Sequence, residues 1–479
     1  MVSASEVRET YGEDARVGTS FRGRRALVAG AAVTGRSAAE ALLEAGAVVT
    51  VTDASERRLA ELEPLRAQGV ELVAGLAAPP EDVDLVVTSP GWRPESELLS
   101  AAAASGVEVI GEVELAWRLD QRRERPARWL VVTGTNGKTT AVGMLESILR
   151  AAGVDAVACG NVGLPVVDAV RAGHRVLAVE LSSFQLHWSD SLAAHAAVVL
   201  NLAADHLDWH GSLTAYGEAK AKAYGGCAVA VHNADDEWST RLVSAAPAEA
   251  RRASVTLGAP EGGQLGVVGG ELVDRAFGDR EVLAREADVH PSGPHNVANA
   301  LAASALARAH GVAADAVARG LRDFEPGQHR SVSVVELAGV SYVDDSKATN
   351  PHAASAALSA HPKVVWIAGG LLKGAEVDDL VAANAERFEA AVLIGEDREQ
   401  FARALARHAP EVPVREVPDR DDAAMERAVR SAGELASSGS VVLLAPAAAS
   451  MDMFTDYAHR GRAFADAARA LAGSAVSRG

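Results

Sequence analysis

The run Gly134-Thr135-Asn136-Gly137-Lys138-Thr139-Thr140 follows the apolar stretch Trp129–Thr133 and precedes a helix-like segment, Ala141–Ala152. A strand, a glycine-rich loop, Lys-Thr and a helix make a phosphate-binding arrangement. The glycines let backbone amides turn toward phosphate oxygens, and the helix N-terminus adds a favourable field. Lys138 supplies a point charge for the β- and γ-phosphates, and Thr139 a hydroxyl for magnesium. The full consensus carries a glycine where this chain has Val132. Two further strand-like runs end in groups of matching chemistry. Val176–Glu180 ends in an acid, and Ala196–Leu200 leads through Asn201 to Asp205 and His206. Ligands gather beyond the carboxyl ends of parallel strands. Glu180 and His206 are therefore candidates for holding a hard cation beside the phosphates.

Each of these residues also has a plainer explanation. Lys138 can be a solvated lysine in a tight turn, Glu180 a helix cap, and His206 a packed histidine. Two adjacent strands delivering an acid and an imidazole to one edge, beside a phosphate loop, favour the chemical reading. Lys220, in Tyr216-Gly217-Glu218-Ala219-Lys220, reads as an ordinary helical lysine.

The elements that must position these groups alternate along the chain. Short apolar runs end in Gly, Ser or Asp and give way to Ala/Leu-rich amphipathic segments, which predicts parallel sheets covered by helices. Strands are expected at Arg25–Ala29, Val48–Thr52, Leu85–Thr88, Trp129–Thr133, Val176–Glu180 and Ala196–Leu200, then at Val340–Asp344, Val364–Ala368, Ala391–Ile394 and Val441–Leu444. Pro260–Arg285 is Gly-rich and reads as a hairpin insertion, and the tail after Ala472 reads as frayed. A chain of 479 residues exceeds one hydrophobic core. Boundaries near Trp117 and Pro326 divide it into three α/β domains, residues 1–116, 117–326 and 327–479.

Composition narrows the function class. A formal charge of −18 argues against a general nucleic-acid binder. No run approaches the roughly 20 apolar residues of a membrane helix, and Met1–Arg16 lacks the apolar centre of a signal peptide. Cys159 and Cys227 are the only cysteines and form neither a disulfide framework nor zinc spacing. A cytoplasmic protein without membrane insertion is expected.

The first domain carries a second glycine-rich turn. Arg25–Ala29 leads into Gly30-Ala31-Ala32-Val33-Thr34-Gly35, and the next strand is followed by Asp53. This is nearly a dinucleotide fingerprint, but the middle glycine is Ala32, whose methyl obstructs the closest approach to a pyrophosphate. A nicotinamide-dependent oxidoreductase is one alternative. A nucleotide-binding scaffold without catalysis is another, and it leaves Glu180, His206 and Lys373 without a common explanation.

Taken in order, these segments resemble the Mur ligase family. The resemblance is carried by Thr133–Thr140, Glu180-Leu181-Ser182-Ser183-Phe184-Gln185-Leu186, Asp205-His206 and Tyr216–Lys220. It continues through Pro294-His295-Asn296-Val297-Ala298-Asn299-Ala300 and Asp345-Ser346-Lys347-Ala348-Thr349-Asn350, and so covers nearly the whole chain. It implies a Rossmann-like N-terminal domain, a central domain like a phosphate-loop ATPase, and a Rossmann-like C-terminal domain. By the same resemblance the enzyme is an ATP-dependent, magnesium-requiring ligase in peptidoglycan precursor synthesis. It would add D-glutamate to the carboxylate of UDP-N-acetylmuramoyl-L-alanine through an acyl phosphate, acting as a monomer. Gly134 through Thr140, Asn299, Arg330, Asp345 and Lys347 would serve ATP. Thr139, Glu180, His206 and Lys220 would serve magnesium, the lysine as a carbamate. Val33, Thr34, Asp53, Ser89 and Gly91 would line the UDP group, and Asn161 would touch the same substrate. Thr349, Lys373, Ser450 and Tyr457 would surround the incoming amino acid. Departures stand at Ser331 and Val332, where an aromatic or methionine and an acid are common. They stand also at Leu371 and Leu372, where relatives carry Asp. Sister amino-acid ligases and folylpolyglutamate synthases remain alternatives, the latter lacking the first domain.

Overall fold

Alternating apolar runs and amphipathic segments assemble into three sheets, each flanked by helices. The computed structural model describes residues 20–421 and 423–476. The expectation about Met1–Arg16 lies outside them. The first sheet contains β1 (Arg25–Ala29), β2 (Val48–Asp53), β3 (Glu71–Ala74), β4 (Leu85–Thr88) and β5 (Glu108–Gly111). All five are parallel, in the order β3-β2-β1-β4-β5. The chain order reverses between β1 and β4, so a crevice opens at their carboxyl ends.

The second sheet holds β6 (Arg128–Thr133), β7 (Ala156–Gly160), β8 (Val176–Glu180), β9 (Ala196–Val199), β10 (Val229–Asn233) and β11 (Arg251–Val255). It is extended by β12 (Gln264–Val268), β13 (Glu271–Asp274) and β14 (Glu281–Arg285), an antiparallel meander where the sequence suggested a hairpin. Its order is β14-β13-β12-β11-β10-β9-β6-β8-β7. The third sheet runs β15-β16-β20-β17-β18-β19. Its members are β15 (Val332–Leu337), β16 (Val340–Asp344), β17 (Val364–Gly369), β18 (Phe388–Ile394), β19 (Val414–Glu416) and β20 (Val441–Leu444). Buried parallel strands such as Trp129–Val132 and Val364–Ala368 are apolar on both faces because helices cover both faces.

The helices that matter for the site are few. They are α1 (Val33–Glu44), α2 (Glu112–Asp120), α3 (Lys138–Ala151), α4 (Val166–Arg171), α5 (Ser183–His187), α6 (Leu207–His210) and α7 (Leu213–Ala221). Later come α8 (Pro294–His310), α9 (Ala314–Asp323), α10 (Pro351–Ser359) and α11 (Tyr457–Val476). The last runs on beyond Ala472, where the sequence suggested fraying.

The first two sheets share one apolar core. Val28, Leu42 and Val87 of the first belong to the same buried cluster as Trp129, Leu177 and Val199 of the second. Polar contacts pin the seam. Arg171 of α4 reaches Glu40 at 3.1 Å and Glu44 at 2.5 Å on α1, and Asp168 at 2.8 Å on its own helix. Ser37 donates to Asp168 at 2.6 Å. Glu112 accepts from the Val167 amide at 2.7 Å, and its burial pushes its pKa up to about 7. The third sheet has separate cores on its two faces and joins the rest through the stretch after Phe324.

Candidate active site

The register of the central sheet sets the site. Val132 of β6 is paired with Glu180 of β8, and Thr133 with Val199 of β9. The phosphate loop therefore leaves β6 with Glu180 on one flank and the Asn201–His206 segment on the other. Glycine is required at Gly137, which begins α3 with φ +82°. A Cβ there would lie 2.3 Å from Asn299 Oδ1, so only a bare backbone fits against α8. The loop is tied to its flank. Thr133 donates to the Leu181 carbonyl at 2.7 Å, and the Ala203 amide donates to the Thr135 hydroxyl at 3.0 Å.

Two lysines converge on one carbonyl. Lys138 Nζ donates to the Gly134 oxygen at 3.0 Å and to the Thr135 oxygen at 2.8 Å. Lys220 Nζ donates to the same Gly134 oxygen at 2.8 Å and lies 4.4 Å from the Tyr216 ring centre. Burial lowers the pKa of both, against the pull of Glu180 and Asp205. Lys220 is only 1% exposed, and with Lys138 beside it its pKa falls well below the usual lysine range. Sequence reasoning without the family gave no reason to single out Lys220. Its signal is tertiary, since only the fold reveals that α7 turns this side chain inward.

Glu180 is buried and accepts from Asn161 Nδ2 at 3.0 Å. His206 takes a left-handed backbone, φ +53°, ahead of α6. Its amide donates to Asp205 Oδ1 at 2.9 Å, and its ring packs edge-on against Phe184 at 4.8 Å. Burial, Lys220, Lys138 and Lys373 lower the His206 pKa, while Asp205 raises it, so the imidazole is neutral near pH 7.

The third domain closes the cavity, which has a volume of about 500 Å³. Arg330, Asp345, Lys347 and Thr349 face the phosphate loop, Glu180, Lys220 and Asn299 across it. Burial pushes Asp345 up to about 6, against a hydrogen bond from Ser331 and the charge of Arg330. Burial and Arg330 bring Lys347 down to about 8, and its ammonium lies 3.8 Å from the centre of the Tyr457 ring. Leu371 and Ala449 exchange both backbone hydrogen bonds at 2.9 Å, which sets the Lys373 and Ser450 loops side by side at the edge of this region. Beneath them lies a support that the sequence did not reveal. Buried Arg460 donates to Ser346 Oγ at 3.0 Å, to the Ser346 carbonyl at 2.9 Å and to the Ala448 carbonyl at 3.0 Å. Asp344 accepts from the Ser346 amide at 2.9 Å and meets His329 Nδ1 at 2.6 Å.

Among the described residues no three His, Cys, Asp or Glu side chains converge as a metal cage. That pattern suits magnesium, which usually takes one or two carboxylates and completes its shell with water and phosphate oxygens. The Thr139 hydroxyl and the Glu180 carboxylate both line the cavity and fit such a donor set.

The first-domain candidates form a separate place in the crevice between β1 and β4. Asp53 is shared between two turns, accepting from the Ser55 amide of its own and from the Ala31 amide of the glycine-rich turn after β1, at 2.8 Å each. Ser89 Oγ is buried without a partner beside the Gly30 turn, a free hydroxyl suited to a polar ligand. Val33 is 68% exposed at the head of α1, Thr34 follows it there, and Gly91 lies in the turn after β4.

Comparison with known proteins agrees with this layout. Residues 24–111 match the domain family described as Mur ligase MurD-like, N-terminal domain; residues 132–307 match the Mur ligase middle domain; residues 329–448 match the Mur ligase glutamate ligase domain. The UDP-N-acetylmuramoylalanine–D-glutamate ligase of Nocardia farcinica is 52% identical, covering 96% of this chain and 99% of that protein. Enzymes with the same name from Streptomyces avermitilis and Thermobifida fusca are each 54% identical over 95% of this chain. In structure the chain is similar to MurF of Acinetobacter baumannii, with TM-score 0.60 and 18% identity over 93% of each chain. It is also similar to the UDP-N-acetylmuramate-alanine ligase of Thermotoga maritima, with TM-score 0.56 and 19% identity over 94% of this chain and 99% of that one. At such identities these two likenesses concern the fold.

Proposed function

We infer the reaction from one fact: the chain belongs to the Mur ligase family. It is an ATP-dependent ligase that forms a peptide bond, and its pathway is peptidoglycan synthesis. Its substrates are UDP-N-acetylmuramoyl-L-alanine and D-glutamate, as the names of relatives at 52–54% identity suggest. The geometry that supports this reading is the cavity shared by a phosphate loop and a third-domain cluster of Arg330, Asp345 and Lys347. A reaction that joins two substrates under ATP requires such a junction. A nicotinamide oxidoreductase does not, and a folylpolyglutamate synthase would lack the first domain.

A carboxylate is a poor electrophile, so it must first be activated. ATP transfers its γ-phosphoryl group to the L-alanyl carboxylate, giving an acyl phosphate and ADP. The D-glutamate amine attacks the carbonyl carbon, and the tetrahedral adduct collapses to amide and inorganic phosphate. Lys138 exchanges its two loop carbonyls for the β- and γ-phosphates, and Arg330 brings a second cation from across the gap. Thr139, Glu180, His206 and a carbamate on Lys220 would hold magnesium, which would supply neutralisation of phosphoryl charge. Burial and the neighbouring Lys138 lower the Lys220 pKa and so favour its neutral amine, the form that adds CO2 and releases a proton to give an oxygen donor. The proton that the attacking amine sheds passes to the departing phosphate or to a carboxylate at the site such as Asp205. Val33, Thr34, Asp53, Ser89 and Gly91 bind the UDP end, and Asn161 the sugar-peptide end. Thr349, Lys373, Ser450 and Tyr457 bind the amino acid. One chain furnishes every group, so a monomer suffices, in domains 1–116, 117–326 and 327–479. A cytoplasmic location suits the buried free thiols Cys159 and Cys227, and among the described residues no helix is long and apolar enough to cross a membrane.

The test is ADP release with ATP, magnesium and UDP-N-acetylmuramoyl-L-alanine across a panel of amino acids. Release that needs D-glutamate and stops without the UDP substrate is expected. Release with a different amino acid alone would move the chain to a sister activity, and none with any would overturn the reading.

A further inference from the structure

Asn136 sits in the middle of the phosphate loop, and its carboxamide is bonded to the third domain across the cavity. Its backbone is fixed from behind by Asn201: the Asn136 amide donates to Asn201 Oδ1 at 2.9 Å, and Asn201 Nδ2 donates to the Asn136 carbonyl at 3.2 Å. Its carboxamide is committed to the third domain. Asn136 Oδ1 accepts from Asn350 Nδ2 at 3.1 Å. Asn136 Nδ2 donates to Asn350 Oδ1 at 3.4 Å and to His352 Nδ1 at 2.8 Å. Burial lowers the His352 pKa, which keeps the ring neutral and able to accept. Both amide hydrogens and the amide oxygen are thus used across the gap, with no hydrogen left for a phosphate.

We propose that Asn136 and Asn350 are a pair of positioning residues that couple closure of the third domain to the orientation of the phosphate loop. The geometry makes the coupling mechanical. Asn350 Oδ1 also accepts from the Ala353 amide at 2.8 Å and so caps α10. Thr349 precedes it directly, and Lys347 lies three residues back. A displacement of the phosphate loop is therefore passed to the head of α10 and to the loop that meets the amino acid. Short carboxamides suit the task, since they lose little rotamer freedom when paired. The pair is formed only when the domains are together, so it favours the closed state alone. The kinetic arm of the test rests on the proposed reaction; the scattering arm does not.

Asn350→Asp separates the two jobs of Asn350. Aspartate still caps α10, but it sets an acceptor against Asn136 Oδ1 and loses the donated hydrogen bond. One lost hydrogen bond together with the facing pair of acceptors corresponds to about a tenfold effect. The full-length variant is expected to lose about tenfold in kcat and to raise the KM for the amino acid. Its affinity for a nonhydrolysable ATP analogue with magnesium should fall by no more than the same factor, because closure and nucleotide binding are linked, and combining it with Asn136→Ala should cost no more than either change alone. Small-angle scattering should show wild type compacting on adding that analogue and Asn350→Asp remaining extended. Loss of analogue affinity with an unchanged amino-acid KM would make Asn350 a nucleotide ligand and overturn the proposal. So would additive effects of the two substitutions, or equal compaction of variant and wild type. A wild type that compacts normally but turns over no D-glutamate would refute the substrate reading while leaving the pair intact.

Discussion

Replacing Arg460 by methionine tests whether the amino-acid loops are held from below. The side chain is 1% exposed and donates three hydrogen bonds, two to Ser346 and one to Ala448. Hydrogen bonds from a charged donor are worth about 1.5–3 kcal/mol each. Methionine refills most of the volume and removes a buried charge whose desolvation was itself costly, which offsets much of that loss. What remains is two buried carbonyls without donors, at about 1–3 kcal/mol apiece. A net loss of about 3 kcal/mol in the third domain follows. For a domain of this size that is a fall of about 6–12 °C in its melting temperature. Calorimetry of the full chain reads this directly, with the midpoint belonging to the first two domains staying in place. Activity below the melt should fall mainly through a higher KM for the amino acid, because Ser346 and Ala448 flank Lys347 and Ser450. An unshifted melt together with a collapsed kcat would refute the reasoning, for it would mean that Arg460 meets the reacting groups instead of supporting their loops.

Lys138→Ala should abolish ADP release while leaving calorimetric binding of the UDP substrate within about twofold, since the first-domain crevice is a separate place. Asp345→Asn should raise stability at pH 7 and lower turnover. Folding raises the Asp345 pKa to about 6, so the folded state holds this proton more tightly and stability declines as pH rises from about 4 to 6. At most about 3 kcal/mol is recovered by the neutral amide above that window, and urea titrations at pH 4 and pH 7 should show the gain only at the higher pH. Assays in CO2-depleted buffer should lose activity that bicarbonate restores in wild type, whereas Lys220→Arg should be inactive in both, its guanidinium being unable to form the carbamate.

The sheets were legible because buried parallel strands are continuous apolar runs that end at functional loops. Arg25–Ala29, Leu85–Thr88 and Val176–Glu180 were placed to the residue. Strands such as Ala156–Gly160 and Val229–Asn233 were not, since alanine, glycine and histidine carry little strand preference and the neighbouring strands decide their conformation. The phosphate loop and Glu180 announced themselves through position after a strand. Lys220, Arg460 and the Asn136–Asn350 pair did not. What distinguishes them is burial or a partner 214 residues away, and neither has a local signature.

At the seam between the first two domains Arg171 faces Glu40, Glu44 and Asp168, and Arg36 lies 3.1 Å from the same Glu40, at a surface where the Arg171 side chain is still 25% exposed. Contact ion pairs at an exposed joint respond to the medium. Arg171 touches all three carboxylates, so attraction outweighs their mutual repulsion, and mobile ions weaken it, the field dying within about 8 Å at the ionic strength of a living cell. The joint should accordingly be stiffer in a dilute assay than in the cell. An organism's internal potassium, as well as its temperature, then helps set how precisely the sugar end of the substrate is aligned with the phosphates.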